Sequence, residues 1–232
     1  MIDAVAIIPA RGGSKRIPRK NLKSFFSKPV IAWSIESAIK SELFSEIIVS
    51  TDDQEIKDIS EKYGARVPFL RSEELSNDHT PLAPVVKDVL DWLDNNEAKK
   101  FEYACCILAT APLISIDDLK QSFRLMRSNS NLSYCVSVAS FPYPIQRSLM
   151  ITDDGYVNMI NRDNYSKRSQ DFIEAFHDAG QFYWGRSSCW RKGEQLFDGS
   201  TGHVLVPRSR VQDIDSIEDW THAERLFSLL QS

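Results

Sequence analysis

The chain opens on a continuously apolar, β-branched run, Ala4 to Pro9 (A-V-A-I-I-P), the pattern of a strand buried on both faces of a parallel sheet. Similar runs occur at Glu46 to Ser50 and Tyr103 to Leu108, and a short one at Val67 to Leu70 and another at Ser133 to Val138 read as further strands. Between them the apolar positions fall at helical spacing. Val30, Ile31, Trp33, Ile35, Ala38 and Ile39 predict a helix over Pro29 to Ile39. Further helices are predicted at Glu55 to Tyr63, closed by Gly64, at Val85 to Leu93 and at Asp117 to Arg127. This alternation implies right-handed crossovers and an α/β fold of three layers, a mostly parallel sheet covered on both faces.

The pattern breaks between Phe141 and Gln181, where aromatic and polar residues mix with turn signals at Pro142, Pro144 and Asp154-Gly155. This segment is expected to leave the sheet, as a subunit contact or a wall over a site. Strands near Phe182 to Trp184 and Gly202 to Val206, then a helix from Ser216 onward, complete the chain. A length of 232 residues suits one domain, 1–232, with 141–181 as a subdomain inside it.

Composition narrows the classes. Hydrophobic residues at 42% and charged residues at 26% fit a globular protein with a sizeable core. No run of about 18 apolar residues predicts a membrane span, and Met1-Ile2-Asp3-Ala4 lacks the basic start of a signal peptide. Cys105, Cys106, Cys135 and Cys189 form no C-x-x-C pair and read as packing residues, so a reducing, cytoplasmic location is expected. A formal charge of −4 argues against a general nucleic-acid partner.

Ligands of open α/β sheets bind beyond the carboxyl ends of the strands, so the loops after Pro9, Ser50, Leu70 and Leu108 should share one rim. The first of these loops carries the strongest chemical signal. Of its thirteen residues Pro9 to Asn21, five are basic: Arg11, Lys15, Arg16, Arg19 and Lys20. Gly12 and Gly13 can bring backbone amides close to an anion, and the cations add charge-assisted bonds to phosphate oxygens. A solvated basic turn is the bland alternative; like charge gathered beside glycines at a sheet rim is costly unless an anion neutralises it. The loop has neither the G-x-x-x-x-G-K-[ST] of a P-loop nor the G-x-G-x-x-G of a dinucleotide fold. Far downstream, Asp213 and Asp215 stand at i and i+2, so on an extended segment both point to one side and can reach one ion. Mg²⁺ suits one or two carboxylates completed by water and phosphate oxygens, whereas Asp215 or Ser216 could instead cap the following helix.

The segment I-I-P-A-R-G-G-S-K-R-I-P-R-K-N-L resembles the signature of the CMP-acylneuraminate synthetases and their relatives. The likeness continues through I-I-V-S-T-D, F-L-R-S-E-E-L, T-A-P-L and D-I-D-S, over nearly the whole chain. It implies a Rossmann-like nucleotidyltransferase with a small dimerisation excursion, joining CTP to an acidic nine-carbon sugar with release of pyrophosphate. By position, Arg11 and Lys20 should contact the triphosphate, with Lys20 acting in the transition state. Ala10, Gly12, Gly13, Ser14, Lys15 and Asn21 would complete the cradle, and Arg71 would face the cytosine, with the nucleotide-binding Asp78 and Thr80 in the neighbouring loop. Asp213 and Asp215 would hold Mg²⁺, making Arg11, Lys20 and Asp215 the catalytic set. A homodimer is expected, with no nucleic-acid or membrane partner.

Where sialate-activating members carry a stretch resembling L-Q-P-T-S-P-L-R, this chain has Ile107-Leu108-Ala109-Thr110-Ala111-Pro112-Leu113-Ile114. Leu108 and Ile114 thus replace a Gln and an Arg expected near the sugar. Loss of polar partners suits a sugar with fewer hydroxyls, such as pseudaminic acid. F-P-Y-P-I-Q-R and E-A-F-H-D-A-G-Q-F-Y-W-G resemble the pseudaminate-specific branch, making Gln146, Arg147, Arg168 and His177 candidate sugar ligands. Sialate, legionaminate and octulosonate synthetases stay open as alternatives within the class. A non-catalytic nucleotide sensor and an RNA-contacting scaffold are the alternatives outside it.

Overall fold

The computed structural model describes residues 3–231; Met1 and Ile2, on which the reading of the N-terminus rests, and Ser232 lie outside the described residues. The elements run β1 (Ala4–Pro9), β2 (Ser24–Phe25), β3 (Lys28–Pro29), α1 (Val30–Ser41), β4 (Glu46–Ser50), α2 (Gln54–Lys62), α3 (Leu82–Glu97), β5 (Tyr103–Ile107) and α4 (Ile116–Ser128). They continue with β6 (Tyr134–Ser140), β7 (Leu149–Ile151), β8 (Val157–Met159), β9 (Phe176–Arg186), α5 (Ser187–Lys192), β10 (Thr201–Leu205) and α6 (Ile217–Gln231).

Alternation along β1 sorts the core into two layers. Ala4, Ala6 and Ile8 pack with Ile31 and Ile35 of α1, Ile56 of α2 and Phe123 of α4. Val5 and Ile7 face the other way, onto Val86, Val89 and Leu93 of α3 and Trp190 of α5. Both faces of the strand are therefore dry, as its unbroken apolar run required. All four cysteines are buried and unpaired.

The main sheet has the order β10-β6-β9-β5-β1-β4. β1 is parallel to both β4 and β5, and β10 to β6; among the described residues β9 is the sheet's antiparallel strand, wedged between β5 and β6. From β1 the chain steps outward to β4 and then crosses back to β5, so the order reverses between β1 and β5. That reversal opens a crevice at their carboxyl ends.

Three expectations need correction. Val67 to Leu70 is not a strand: only isolated parallel bridges, Ile48 to Arg66 and Thr51 to Leu70, join this stretch to the sheet edge. Pro68 between them has no amide to give a ladder. The strand expected near Phe182 to Trp184 is the eleven-residue β9, which begins at Phe176, inside the stretch expected to lie off the sheet. A bulge opposite Val136 and Val138 and exposed Phe176 and Asp178 blur its alternation. The six-residue α5, too short for a periodic signal, was not foreseen. Residues 141–175 do leave the sheet and carry the small β7–β8 hairpin and three short 3-10 turns.

Candidate active site

The loop after β1 and the segment after β5 enclose a cleft of about 180 Å³ at the strand-order reversal. It is lined by Pro9, Arg11, Ser14, Lys15, Arg16, Ile17, Lys20, Asn21, Leu108, Ala109 and Thr110. A second cleft of about 160 Å³ shares Pro9 and Arg11 and is walled by Arg71, Asp78 and Thr80. The expected common rim is thus present.

The loop is braced from below. Ala10 is buried and its amide donates to the Ser50 carbonyl at 2.9 Å. Asn21, also buried, donates from Nδ2 to the Arg11 carbonyl at 2.9 Å. The Gly12 amide donates to Asp52 Oδ1 at 2.9 Å, and a Cβ at Gly12 would stand 2.6 Å from Asp53 Oδ2. Glycine is required there by the approach of Asp53, while a Cβ at Gly13 would meet only open space. The Ser14 amide closes a tight turn onto the Gly12 carbonyl at 3.0 Å.

Each of the five loop cations has an acidic partner. Arg11 and Lys15 both reach Asp78, the latter at 2.5 Å. Arg16 pairs with Asp215 at 2.7 Å, and Arg19 with Asp53 and Glu55. Lys20 donates from Nζ to the Ile214 carbonyl at 2.6 Å and lies 3.6 Å from Asp215. Lys15, then Arg11, hold the Asp78 carboxyl down at about 2.

Arg71 is 6% exposed. Its amide is tied to the Thr51 carbonyl at 2.7 Å and its Nε donates to Ser76 Oγ at 3.2 Å. Among the described residues no carboxylate lies within ion-pair distance of it, and burial lowers its pKa. Thr80 donates weakly from Oγ1 to the Glu74 carbonyl at 3.4 Å in the same loop.

Asp213 and Asp215 reach the rim because Ile214 between them is anchored in the core. Ile214 is fully buried with Ile17 of the basic loop and Trp220 of α6; burying each isoleucine is worth about 1.5–3 kcal/mol. The Asp213 carboxyl is raised, first by burial and then by Asp215. Two crowded carboxylates with hard oxygen donors fit a divalent cation. Among the described residues no three His, Cys, Asp or Glu side chains are grouped as a metal site, so phosphate and water would supply the other ligands.

The four sugar candidates are not brought to these clefts. Gln146 donates to the Ile173 carbonyl at 2.8 Å and, with Phe141, Tyr143 and Phe172, lines a separate cleft of the excursion. Arg147 sits in the short turn before β7, and Arg168 is exposed and paired with Asp171 at 3.1 Å. The ring of His177 packs edge-on against Phe141, its Nδ1 2.8 Å from the Asp178 carbonyl. Leu108 does line the first cleft, whereas Ile114 faces a groove beside Trp33 and Phe227.

The sequence assigns no role to Asp52 or Asp53. Asp53 also caps α2, accepting from the Ile56 amide at 3.0 Å. The signal for both aspartates was their place at the carboxyl end of β4, opposite the basic loop.

A family model described as "Cytidylyltransferase" matches residues 5–188. The pseudaminic acid cytidylyltransferase of Campylobacter jejuni subsp. jejuni serotype O:2 is 40% identical over 225 residues, covering 97% of this chain and 96% of that protein. The CMP-N,N'-diacetyllegionaminic acid synthase of the same organism is 32% identical over 229 residues, covering 99% and 97%. Among solved structures, a CMP:2-keto-3-deoxy-manno-octonic acid synthetase complexed with CTP is similar in fold, with TM-score 0.70 at 18% identity and coverage of 98% and 99%. The matched residues run from β1 into α5 and take in the basic loop, the Arg71 cleft and both strands that flank the crevice, and the chain belongs to the cytidylyltransferase family.

Proposed function

We propose that this enzyme couples CTP to a nonulosonic acid, pseudaminic acid, giving the CMP-sugar and pyrophosphate. The observation that carries the reading is the meeting of a cationic loop and a carboxylate pair on one rim, joined where Lys20 grips the Ile214 carbonyl. Arg11, Lys15 and Lys20 hold the triphosphate, with Ser14 and Asn21 shaping the loop around it. To do so Arg11 and Lys15 turn from Asp78 to phosphate oxygens. Buried Arg71, with Thr80 beside it, faces the cytosine.

The anomeric oxygen of the sugar attacks the α-phosphorus, the bond to the β-phosphate oxygen breaks, and the hydroxyl proton is released. Negative charge grows on α-phosphate and pyrophosphate oxygens, where prepositioned cations are most effective. Asp213 and Asp215 would hold Mg²⁺, which supplies Lewis-acid polarisation of phosphate and acidifies the attacking hydroxyl. The apolar wall at Leu108 disfavours extra sugar hydroxyls, which would lose hydrogen bonds there.

The same reading makes the protein a homodimer. Leu149, Ile151, Tyr156, Val157 and Ile160 are exposed on and around the β7–β8 hairpin, an apolar surface suited to a second copy. Gln146, Arg147, Arg168 and His177 would then act on the sugar bound by the partner.

A pyrophosphate-release assay with CTP against pseudaminic, legionaminic, sialic and octulosonic acids tests the reading. The highest kcat/KM is expected with pseudaminic acid. A higher value for another acid replaces the sugar assignment, and CTP binding without pyrophosphate release leaves only a nucleotide sensor.

A further inference from the structure

The tripeptide Asp213-Ile214-Asp215 belongs to no strand or helix, so no ladder fixes where its carboxylates point. One backbone group of each of the three residues is gripped instead. Gln212 donates from Nε2 to the Asp213 carbonyl at 2.7 Å, Lys20 donates to the Ile214 carbonyl at 2.6 Å, and the Asp215 amide donates to Asp219 Oδ2 at 3.1 Å.

Asp219 stands at the centre of this arrangement. Its Oδ2 also accepts from the Ser216 amide at 2.8 Å and the Ser216 hydroxyl at 2.7 Å, and its own amide lies 3.2 Å from Ser216 Oγ. Those reciprocal bonds are a capping box that starts α6. A cap accounts for neither of the other two contacts: the Asp215 amide, and Gln212 Nε2, which donates to Asp219 Oδ1 at 3.1 Å. Gln212 is fixed in turn by His222, whose Nδ1 is 2.6 Å from Gln212 Oε1 and therefore carries the proton. One carboxylate thus reaches both sides of the tripeptide, directly at Asp215 and through Gln212 at Asp213.

We propose that Asp219 is a positioning residue for the cation site, aiming the Asp213 and Asp215 carboxylates through their backbone without itself touching ion or substrate. This rests on the reading of Asp213 and Asp215 as cation ligands. Ligands on an irregular segment depend on such outer partners, whose loss costs about 10–100-fold in metal affinity or activity.

The test is Mn²⁺ binding to the whole protein in the presence of CTP, read by electron paramagnetic resonance of the free ion, beside the melting temperature. Asp219→Ala is expected to weaken Mn²⁺ by about tenfold or more. Asp219→Asn, whose amide oxygen can still accept at the Oδ2 position but whose NH2 then faces the donor Gln212 Nε2, recovers only part of that loss. Ser216→Ala removes the hydroxyl half of the cap but leaves the Ser216 and Asp215 amides and Gln212 on the Asp219 carboxylate, so it lowers the melting temperature and weakens Mn²⁺ far less than Asp219→Ala does. Should Asp219→Ala fail to fold, Gln212→Ala, which spares the cap, weakens Mn²⁺ several-fold. Wild-type Mn²⁺ affinity in Asp219→Ala, or an equal loss in Ser216→Ala, overturns the proposal. Unchanged binding in Asp213→Ala and Asp215→Ala as well overturns the cation-site reading together with it.

Discussion

The ammonium of Lys20 donates to the main-chain carbonyl of Ile214 at 2.6 Å, across 194 positions of sequence. This contact makes the loop after β1 and the tripeptide before α6 one unit, with Ile17 and Ile214 buried together beneath it. An ammonium has three donors, and with Ile214 and nearby Asp215 on one side it keeps capacity for a phosphate oxygen on the other. Lys20 is therefore tethered before any nucleotide arrives, and positioned charge needs little reorganisation during the reaction.

Replacing Lys20 should consequently cost turnover more than folding. Lys20→Ala is expected to lower kcat for pyrophosphate release by about 10²–10³-fold, the effect of removing one prepositioned donor. The melting temperature should move little, since the pair with Asp215 is partly exposed at 3.6 Å. Lys20→Arg should not rescue, because a planar fork cannot reproduce a point charge shared between a carbonyl and a phosphate. Activity near wild type in either variant would sink the assignment.

Arg71 should show the opposite split. Its guanidinium is buried with one side-chain hydrogen bond to Ser76 and no ion-paired carboxylate among the described residues. A buried charge with no carboxylate in direct contact, only Asp52 and Asp88 at longer range, weakens the free protein. Arg71→Met is expected to leave the melting temperature unchanged or raise it. CTP should then bind about 10–100-fold more weakly, the loss of a charged hydrogen bond. Calorimetry of CTP binding beside a thermal melt checks both halves, and unaltered CTP affinity would remove Arg71 from the base pocket.

The legible parts of the fold were those whose pattern is set by one neighbour layer. β1, β4 and β5 appear at or within one residue of the apolar runs that marked them, because strands covered on both faces need consecutive apolar residues at their centres. β9 shows in the sequence only as a fragment, because Phe176 and Asp178 at its start are exposed and its antiparallel insertion leaves no local trace. The same division holds for the site. The basic loop announced itself by charge beside glycine, whereas the Asp52 contact to Gly12 and the Asp219 contact to Asp215 are long-range or hidden inside an ordinary cap.

Asp78 gives a pH signature. Lys15 and Arg11 depress its carboxyl to about 2 in the folded protein, against roughly 3.9 in an unfolded chain. A depressed acid stabilises the fold above its unfolded value and loses that contribution as pH falls through its folded one. The melting temperature of wild type minus that of Asp78→Asn should thus be positive and level above pH 4, then shrink toward zero near pH 2. The difference should also narrow in high salt, because these pairs face solvent. Saturating CTP should narrow it too, as Arg11 and Lys15 leave Asp78 for phosphate. A difference independent of pH from 6 to 2 would contradict the ion pairing.

Arg168 tests whether two subunits share each site. It is exposed on the excursion, pairs with Asp171 at 3.1 Å, and lines neither rim cleft of its own chain. If it serves the sugar bound by a second copy, Arg168→Ala should raise KM for the sugar acid more than for CTP. A stronger consequence follows from mixing. A heterodimer of Lys20→Ala and Arg168→Ala subunits holds one site lacking both residues and one retaining both, the latter on the Arg168→Ala subunit. Random re-pairing makes half the dimers mixed, so at sub-KM sugar, where each parent is nearly silent, activity should return to ~25% of wild type, as expected for an isologous pair. No recovery above the sum of the parents, with exchange verified by mass, would confine Arg168 to its own chain and remove it from the sugar site.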